Sequence, residues 1–142
     1  MRPKVLIVDD NPMVRSSISR TLRAEELYVL QADSAEAAFE MFRNYEIALA
    51  IVDHLMPGLR GTRLLKWLKD RHPETVRIML TAWDIESIRQ DALDNADVHK
   101  FITKPWDPKE LREIVRNALR LHEKSRESGE AKPGFAGVAR KD

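Results

Sequence analysis

The sequence contains no cysteine, which excludes disulfide bonds, thiolate zinc sites, iron–sulfur clusters and a cysteine nucleophile. It also lacks an excess of either charge, because 24 Lys and Arg residues against 23 Asp and Glu residues leave a net charge of +1. We therefore expect no direct nucleic-acid partner. No apolar run approaches the roughly 18 residues of a membrane span, and the run Val5–Val8 is too short for a signal peptide. These absences predict a cytoplasmic protein without membrane contact.

The chain of 142 residues is long enough for one domain of ordinary size. Its 43% hydrophobic and 33% charged residues are typical of a globular protein rather than a disordered one. Apolar patterning continues to about residue 124 and then dissolves into scattered Gly, Pro and charged residues. We therefore predict a single domain over 1–124 and a flexible C-terminal tail or linker stub over 125–142.

Short apolar runs alternate with longer amphipathic stretches, which predicts an α/β fold with a parallel sheet and helices on both faces. Five runs have the length and composition of buried strands. They are Val5–Val8, Leu27–Leu30, Ile47–Val52, Val76–Leu80 and Val98–Thr103.

Local signals mark where the helices begin. Asn11 followed by Pro12 is typical of an N-cap and first helical position. Asp33, with Glu36 three residues later, predicts a capping box for the second helix, and Asp107 begins the fifth in the same way. The fourth helix, around residues 85–93, carries the weakest signal.

Polar residues capable of chemistry follow four of the five predicted strands. Asp9 and Asp10 follow the first, Asp53 the third, Thr81 the fourth and Lys104 the fifth. Because ligands bind at the carboxyl ends of parallel strands in such sheets, we expect these side chains to converge.

Three nearby carboxylates repel one another and need a counter-charge, and oxygen ligands of this kind suit Mg²⁺. Lys104 and the Thr81 hydroxyl can both contact phosphoryl oxygens. A carboxylate, a metal, a lysine and a hydroxyl together favour phosphoryl transfer, with Asp53 as the best candidate nucleophile. A reading of each aspartate as a mere cap or turn former does not explain why all of them should converge.

These residues resemble the signature of the response-regulator receiver domain of two-component signalling, over residues 4 to about 122. The resemblance rests on Asp9-Asp10, Asp53 followed by Met56-Pro57 and Gly61, Thr81-Ala82, and Lys104-Pro105. It implies a flavodoxin-like, doubly wound sheet of strand order 2-1-3-4-5. It also implies a phosphoprotein that acts as a signalling switch and catalyses only its own phosphorylation and dephosphorylation.

The resemblance implies further roles for individual residues and partners. Asp53 would accept a phosphoryl group from a sensor histidine kinase or phosphotransfer protein. Mg²⁺ would be held by Asp10, Asp53, the backbone carbonyl of Leu55 and, less directly, Asp9. Thr81 and Phe101 would switch the face formed by the fourth helix, fifth strand and fifth helix, which controls a downstream protein or output domain. Whether that face also forms a homodimer stays open.

Two residues depart from the usual pattern of these domains. The positions two residues after Asp53 and Thr81 flank the path of the attacking water, and here they are the large apolar Leu55 and Trp83. We hypothesise that both slow the loss of the phosphoryl group. The four histidines share no metal-ligand spacing, and each is interpreted as a surface residue.

Two other functions remain as alternatives. A phosphohydrolase of the haloacid dehalogenase type also uses a strand-end aspartate, but it requires a second aspartate two residues later. Leu55, Asn11 and Pro12 occupy those positions after Asp53, Asp9 and Asp10. A pseudo-receiver, which binds partners without phosphorylation, usually lacks part of the acceptor set that is complete here.

Overall fold

The structure is a computed structural model that describes residues 2–54, 60–82 and 98–127. Strands and helices alternate along these ranges, as the apolar runs predict. In chain order they are β1 (Lys4–Val8), α1 (Pro12–Leu22), β2 (Tyr28–Ala32), α2 (Ala35–Asn44), β3 (Leu49–Asp53), α3 (Gly61–Arg71), β4 (Val76–Thr81), β5 (Lys100–Thr103) and α4 (Pro108–Glu127).

The five strands form one parallel sheet in the order β2-β1-β3-β4-β5, which confirms the predicted doubly wound fold. The central strand β3 is buried along its whole length, and so is β4. Side chains alternate between two apolar clusters, one on each face of the sheet. Helices α2 and α3 cover one cluster, and α1 and α4 cover the other.

The helix starts at Asn11 and Asp107 are confirmed. The Asn11 side chain accepts a hydrogen bond from the Met13 backbone N–H at 2.9 Å, and Pro12 occupies the first helical turn. Asp107 Oδ2 accepts from the Glu110 N–H at 3.2 Å, at the beginning of α4. Both side chains satisfy backbone donors that the first turn of a helix leaves unpaired.

The structure corrects the start of α2. The N-cap is Ser34 rather than Asp33, and the Ser34 hydroxyl accepts from the Ala37 N–H at 3.1 Å. Both residues are good caps. The backbone conformation determines which of them is the N-cap, because Ser34 is the last residue with an extended conformation before the helix.

Helix α4 continues to Glu127, three residues into the predicted tail. Residues 125–127 carry no apolar side chain to extend the stripe, although Arg and Glu both favour helix. The helix predicted around residues 85–93 and the rest of the predicted tail, from residue 128, lie outside the described residues.

Arg77 and His122 are buried polar residues that were not predicted. Arg77, on β4, is only 1% exposed, and its Nη1 donates to the Thr75 carbonyl at 2.9 Å. The interpretation of His122 as a surface residue is wrong: its side chain is buried, and its Nδ1 lies 2.9 Å from the Glu74 carbonyl oxygen. Among the described helices, none is long and apolar enough to span a membrane.

Candidate functional site

The predicted site residues lie at the carboxyl edge of the sheet. Asp53 is the last residue of β3, Thr81 ends β4, and Asp9 directly follows β1. The strands end nearly level, since Val8 pairs with Val52 and Asp53 pairs with Leu80. Parallel pairing therefore carries residues that are far apart in sequence to one edge of the sheet.

Lys104 joins this group from the end of β5. Its Nζ lies 2.8 Å from Asp53 Oδ1 and 3.5 Å from Asp9 Oδ2. The carboxyl groups of Asp9 and Asp53 are almost completely buried, whereas the side chain of Lys104 is 25% exposed. One ammonium group thus bridges two buried carboxylates across 51 and 95 residues of sequence.

Asp10 completes a cluster of three carboxylates. Asp9, Asp10 and Asp53 each offer an oxygen, and these oxygens all lie within 4.8 Å of one another. Asp10 is exposed, and in the parts of the chain that the structure describes its carboxylate has no hydrogen-bond or ion-pair partner. Oxygen donors at this spacing, with one of them facing solvent, fit a hard divalent cation such as Mg²⁺.

The charge balance at Asp53 supports that fit. Burial raises the pKa of the Asp53 carboxyl above its ordinary value of 3.8; the hydrogen bond from Lys104 opposes the rise, and the charges of Asp9 and Asp10 add to it. Lys104 alone therefore does not compensate the negative charge at the end of β3. A divalent cation would favour the ionised form of Asp53.

Lys104 is held in its charged form. Burial lowers its pKa, but the hydrogen bond and charge of Asp53, together with Asp9, outweigh burial and raise the pKa above 10.5. A lysine with a raised pKa remains a cation at neutral pH. It can therefore neutralise a carboxylate or a phosphoryl oxygen.

Gly61 permits the close approach of α3 to Asp53. A Cβ atom added at Gly61 would lie 2.1 Å from the Asp53 carbonyl oxygen and 3.2 Å from the His54 Cα. The Gly61 N–H also donates to the His54 carbonyl at 3.2 Å. The signature includes this glycine, but its physical reason, a backbone packed against the strand end, becomes visible only in the structure.

Thr81 and Phe101 occupy neighbouring strands. Thr81 is buried, and its carbonyl accepts the Lys104 N–H at 2.8 Å. Phe101 is half-buried on β5, pairs in register with Met79 and packs against the cluster under α2 and α3. Leu55, whose carbonyl is expected to bind the metal, lies outside the described residues, as does Trp83.

The contacts around Asp9 could not be predicted from the sequence pattern. Its Oδ1 accepts from the Asn11 N–H at 2.9 Å, and its carbonyl oxygen accepts from Arg15 Nη1 at 2.7 Å. Arg15 was not among the predicted site residues. A lone arginine in an amphipathic helix is ordinary, and its contact with Asp9 depends on how α1 packs against the sheet.

Comparisons with known proteins agree with this geometry. The family model described as response regulator receiver domain matches residues 5–116. PilR, a response regulator protein of Pseudomonas aeruginosa, is 36% identical over 120 residues, which are 84% of this chain and 27% of PilR. The regulatory protein VanR of Enterococcus faecium is 34% identical over 124 residues, 87% of this chain and 53% of VanR.

A solved receiver domain from an HD domain-containing protein of Pseudomonas fluorescens has a TM-score of 0.85 with 27% identity, covering 89% of this chain and 93% of that one. A CheY-like receiver from Methanospirillum hungatei has a TM-score of 0.82 with 27% identity, covering 88% and 99%. The chain spans about a quarter of the length of several of the curated relatives it matches. It belongs to the response-regulator receiver domain family.

Proposed function

We propose that Asp53 is the phosphoryl acceptor of this chain and that Mg²⁺ is required for the transfer, held by the carboxylates of Asp10 and Asp53 and, less directly, of Asp9. The observation that carries the proposal is the three-carboxylate cluster bridged by Lys104 at 2.8 Å from Asp53 Oδ1. The expected backbone contribution of Leu55 belongs to the same proposal. The donor would be a phosphohistidine on a sensor histidine kinase or a phosphotransfer protein.

Asp53 performs the bond-forming step. One of its carboxylate oxygens attacks phosphorus, a P–O bond to Asp53 forms, the P–N bond of the phosphohistidine breaks, and the imidazole leaves. Lys104 is already charged and within hydrogen-bond distance of Asp53, so it can neutralise the oxygens of the transferred group. Thr81, at the end of the adjacent strand, supplies a hydroxyl for another of these oxygens.

A bound Mg²⁺ would neutralise charge shared between the acceptor and the phosphoryl group. The protein prepares for it by burying Asp9 and Asp53 and leaving Asp10 exposed. Burial is the main cause of the raised pKa of Asp53, and a divalent cation at the cluster would favour the ionised, nucleophilic form of this carboxyl.

We also propose that phosphorylation is transmitted through Thr81 and Phe101. A phosphoryl group adds roughly −1.5 to −2 charge and three acceptors at Asp53. Movement of Thr81 toward it would change the packing beside β5, where Phe101 is only half-buried. The proposed readout is the surface formed by β5, by α4, which is the fifth helix predicted from the sequence, and by the helix predicted around residues 85–93. Two states that differ by a few kcal/mol suffice for a switch.

The proposed output rests on what the names of two longer relatives say of those proteins. The hydrogenase transcriptional regulatory protein HoxA of Cupriavidus necator and the cyclic di-GMP phosphodiesterase of Thermotoga maritima both match over about a quarter to a third of their lengths. By its name, the first regulates transcription and the second is a phosphodiesterase. We propose that the switched surface of this chain acts on an output domain or a separate downstream protein.

The experiment is phosphorylation with acetyl phosphate and Mg²⁺, followed by intact-mass spectrometry. We expect the wild-type chain to gain one phosphoryl group that hydroxylamine removes, since that reagent cleaves acyl phosphates. Asp53→Asn should gain none. Asp70→Asn is a matched control, because Asp70 is an exposed carboxylate on α3 that contacts only Lys66 among the described residues, and it should react as the wild type does.

Two results would contradict the proposal. Equal phosphorylation of Asp53→Asn would move the acceptor to another residue, and full modification in excess chelator would remove the metal requirement. Continued release of phosphate from an added phosphomonoester, well beyond one equivalent, would favour the phosphohydrolase alternative.

A further inference from the structure

Asp9 is held at each of its polar atoms. Its N–H donates to the Ala32 carbonyl at 3.1 Å, and its carboxylate accepts from the Asn11 N–H and contacts Lys104. Its carbonyl oxygen accepts from Arg15 Nη1 at 2.7 Å. The Arg15 contact is unusual among these, because it fixes the main chain of a metal-site residue by a side chain from α1.

Arg15 is itself held in place. Its Nε donates to Gln31 Oε1 at 3.1 Å, and Gln31 Nε2 in turn donates to the Ser19 hydroxyl at 3.1 Å. Gln31 lies on the edge strand β2, and Ser19 lies one turn after Arg15 on α1. The planar guanidinium therefore spans β2, α1 and the end of β1 with two separate nitrogen atoms, a geometry that lysine cannot reproduce.

We infer that Arg15, oriented by Gln31, is a positioning residue that fixes the main chain of Asp9 and thereby the geometry of the acidic cluster. For its consequence at the metal, the inference rests on the proposed function. Outer contacts that orient metal ligands commonly change metal affinity by about 10- to 100-fold when removed.

Electrostatics and positioning make opposite predictions for Arg15. A guanidinium next to a cation site repels the incoming cation, so by charge alone its removal would tighten Mg²⁺ binding. If Arg15 positions Asp9, its removal weakens binding even though a repulsive charge is lost. Gln31 separates the two effects further, because replacing it disturbs the orientation of Arg15 and changes no charge.

The test measures Mg²⁺ dissociation constants by calorimetry for four variants. We expect about 10-fold weaker binding in Arg15→Ala. We expect about 3-fold weaker binding in Gln31→Leu, which removes the exposed hydrogen bonds to Arg15 and Ser19 but leaves the contact between Arg15 and the Asp9 carbonyl. Arg15→Lys, which can restore one donor but not both, should fall between Arg15→Ala and wild type. Arg20→Ala removes an exposed arginine from the same helix and should bind Mg²⁺ as wild type does or slightly more tightly.

A second readout needs no metal. The Asn11 N–H is bonded to Asp9 Oδ1, so its hydrogen exchange reports whether Asp9 is held. We expect about 10-fold faster exchange at Asn11 in metal-free Arg15→Ala, with no change at Ile7 inside β1, which excludes global destabilisation.

Unchanged exchange at Asn11, or Mg²⁺ binding in Arg15→Ala equal to or tighter than in wild type, would overturn the inference. If the wild type binds no Mg²⁺ and Asn11 exchange still rises in Arg15→Ala, the proposed function fails while the positioning of Asp9 by Arg15 stands.

Discussion

Replacing Gly61 with alanine tests the packing of α3 against Asp53. The added Cβ would lie 2.1 Å from the Asp53 carbonyl oxygen and 3.0 Å from its carbonyl carbon. Both are backbone atoms of β3, which is hydrogen-bonded to a strand on each side, so neither can move away as a flexible side chain could. The contact must lengthen by about 1.4 Å to reach an ordinary separation of roughly 3.5 Å.

Two effects of the substitution have opposite signs. Alanine in place of glycine in a helix stabilises the folded state by roughly 0.5 to 1 kcal/mol. Overpacking that forces backbone shifts costs about 1 to 3 kcal/mol. Because the overlap here is with backbone, we expect the second effect to win and leave a net loss of about 1 to 2 kcal/mol, or roughly 3 to 10 °C in Tm.

Displacement of the Asp53 backbone should also slow phosphorylation. A shift of about 1 Å at a reacting group can lower a rate by about 100-fold, and here the shift falls on Asp53, the proposed acceptor. We expect phosphorylation of Gly61→Ala by acetyl phosphate to be about 10- to 100-fold slower than that of wild type. Thermal unfolding and timed mass spectrometry of the same samples measure both effects.

Arg63→Ala is the matched control, because Arg63 lies in the same first turn of α3 with its side chain exposed. This variant should match or slightly exceed the stability of wild type and should phosphorylate at the same rate. A Gly61→Ala protein that is more stable than wild type and reacts at the wild-type rate would refute the reasoning.

Three further predictions concern charge and rate. The raised pKa of Asp53 means that ionisation of this carboxyl destabilises the folded state as pH rises through that pKa. Metal-free Asp53→Asn should therefore have a higher Tm than wild type at neutral pH. The difference in Tm should vanish below pH 3.8, where the carboxyl is protonated in both the folded and the unfolded state. The pKa of Glu25 is lowered by its hydrogen bond with Arg116. The ionised Glu25 therefore stabilises the fold above pH 4.5, and this stabilisation is lost as pH falls through the lowered pKa. Arg116→Gln should reduce Tm slightly at pH 7 but leave Tm unchanged at a pH below the lowered pKa. Leu55→Asn and Trp83→Glu should each shorten the half-life of the phosphorylated chain, as followed by mass spectrometry, and a longer half-life in either would count against water exclusion.

The sequence was sufficient for features that depend on local chemistry. The strand order came from the resemblance, but the buried runs around Ile7 and Ile51 are readable because parallel strands covered on both faces need apolar side chains throughout. The cap at Asn11 is equally local, since a short polar side chain beside Pro12 satisfies its own helix start.

Features that depend on distant packing could not be predicted in this way. Arg77 interrupts an apolar strand, and its burial is possible because its guanidinium donates hydrogen bonds to backbone carbonyls near the start of β4. His122 has a charged residue, Glu123, beside it on α4, and its ring contacts the Glu74 carbonyl, 48 residues away in the sequence. Neither contact can be predicted from the residues that flank Arg77 or His122 in the sequence.

Lys104 links Asp53 to the β5 edge of the sheet. Lys104 follows β5, an edge strand that pairs only with β4 in the sheet, and α4 begins four residues later at Pro108. If Asp53 is phosphorylated as proposed, a phosphoryl group that drew Lys104 away from the carboxylate would pull on the short segment that joins β5 to α4. Phe101 lies three residues before Lys104 and is only partly buried, whereas β3 is fully buried. Movement of Phe101 should therefore cost less packing free energy than movement of a residue in β3.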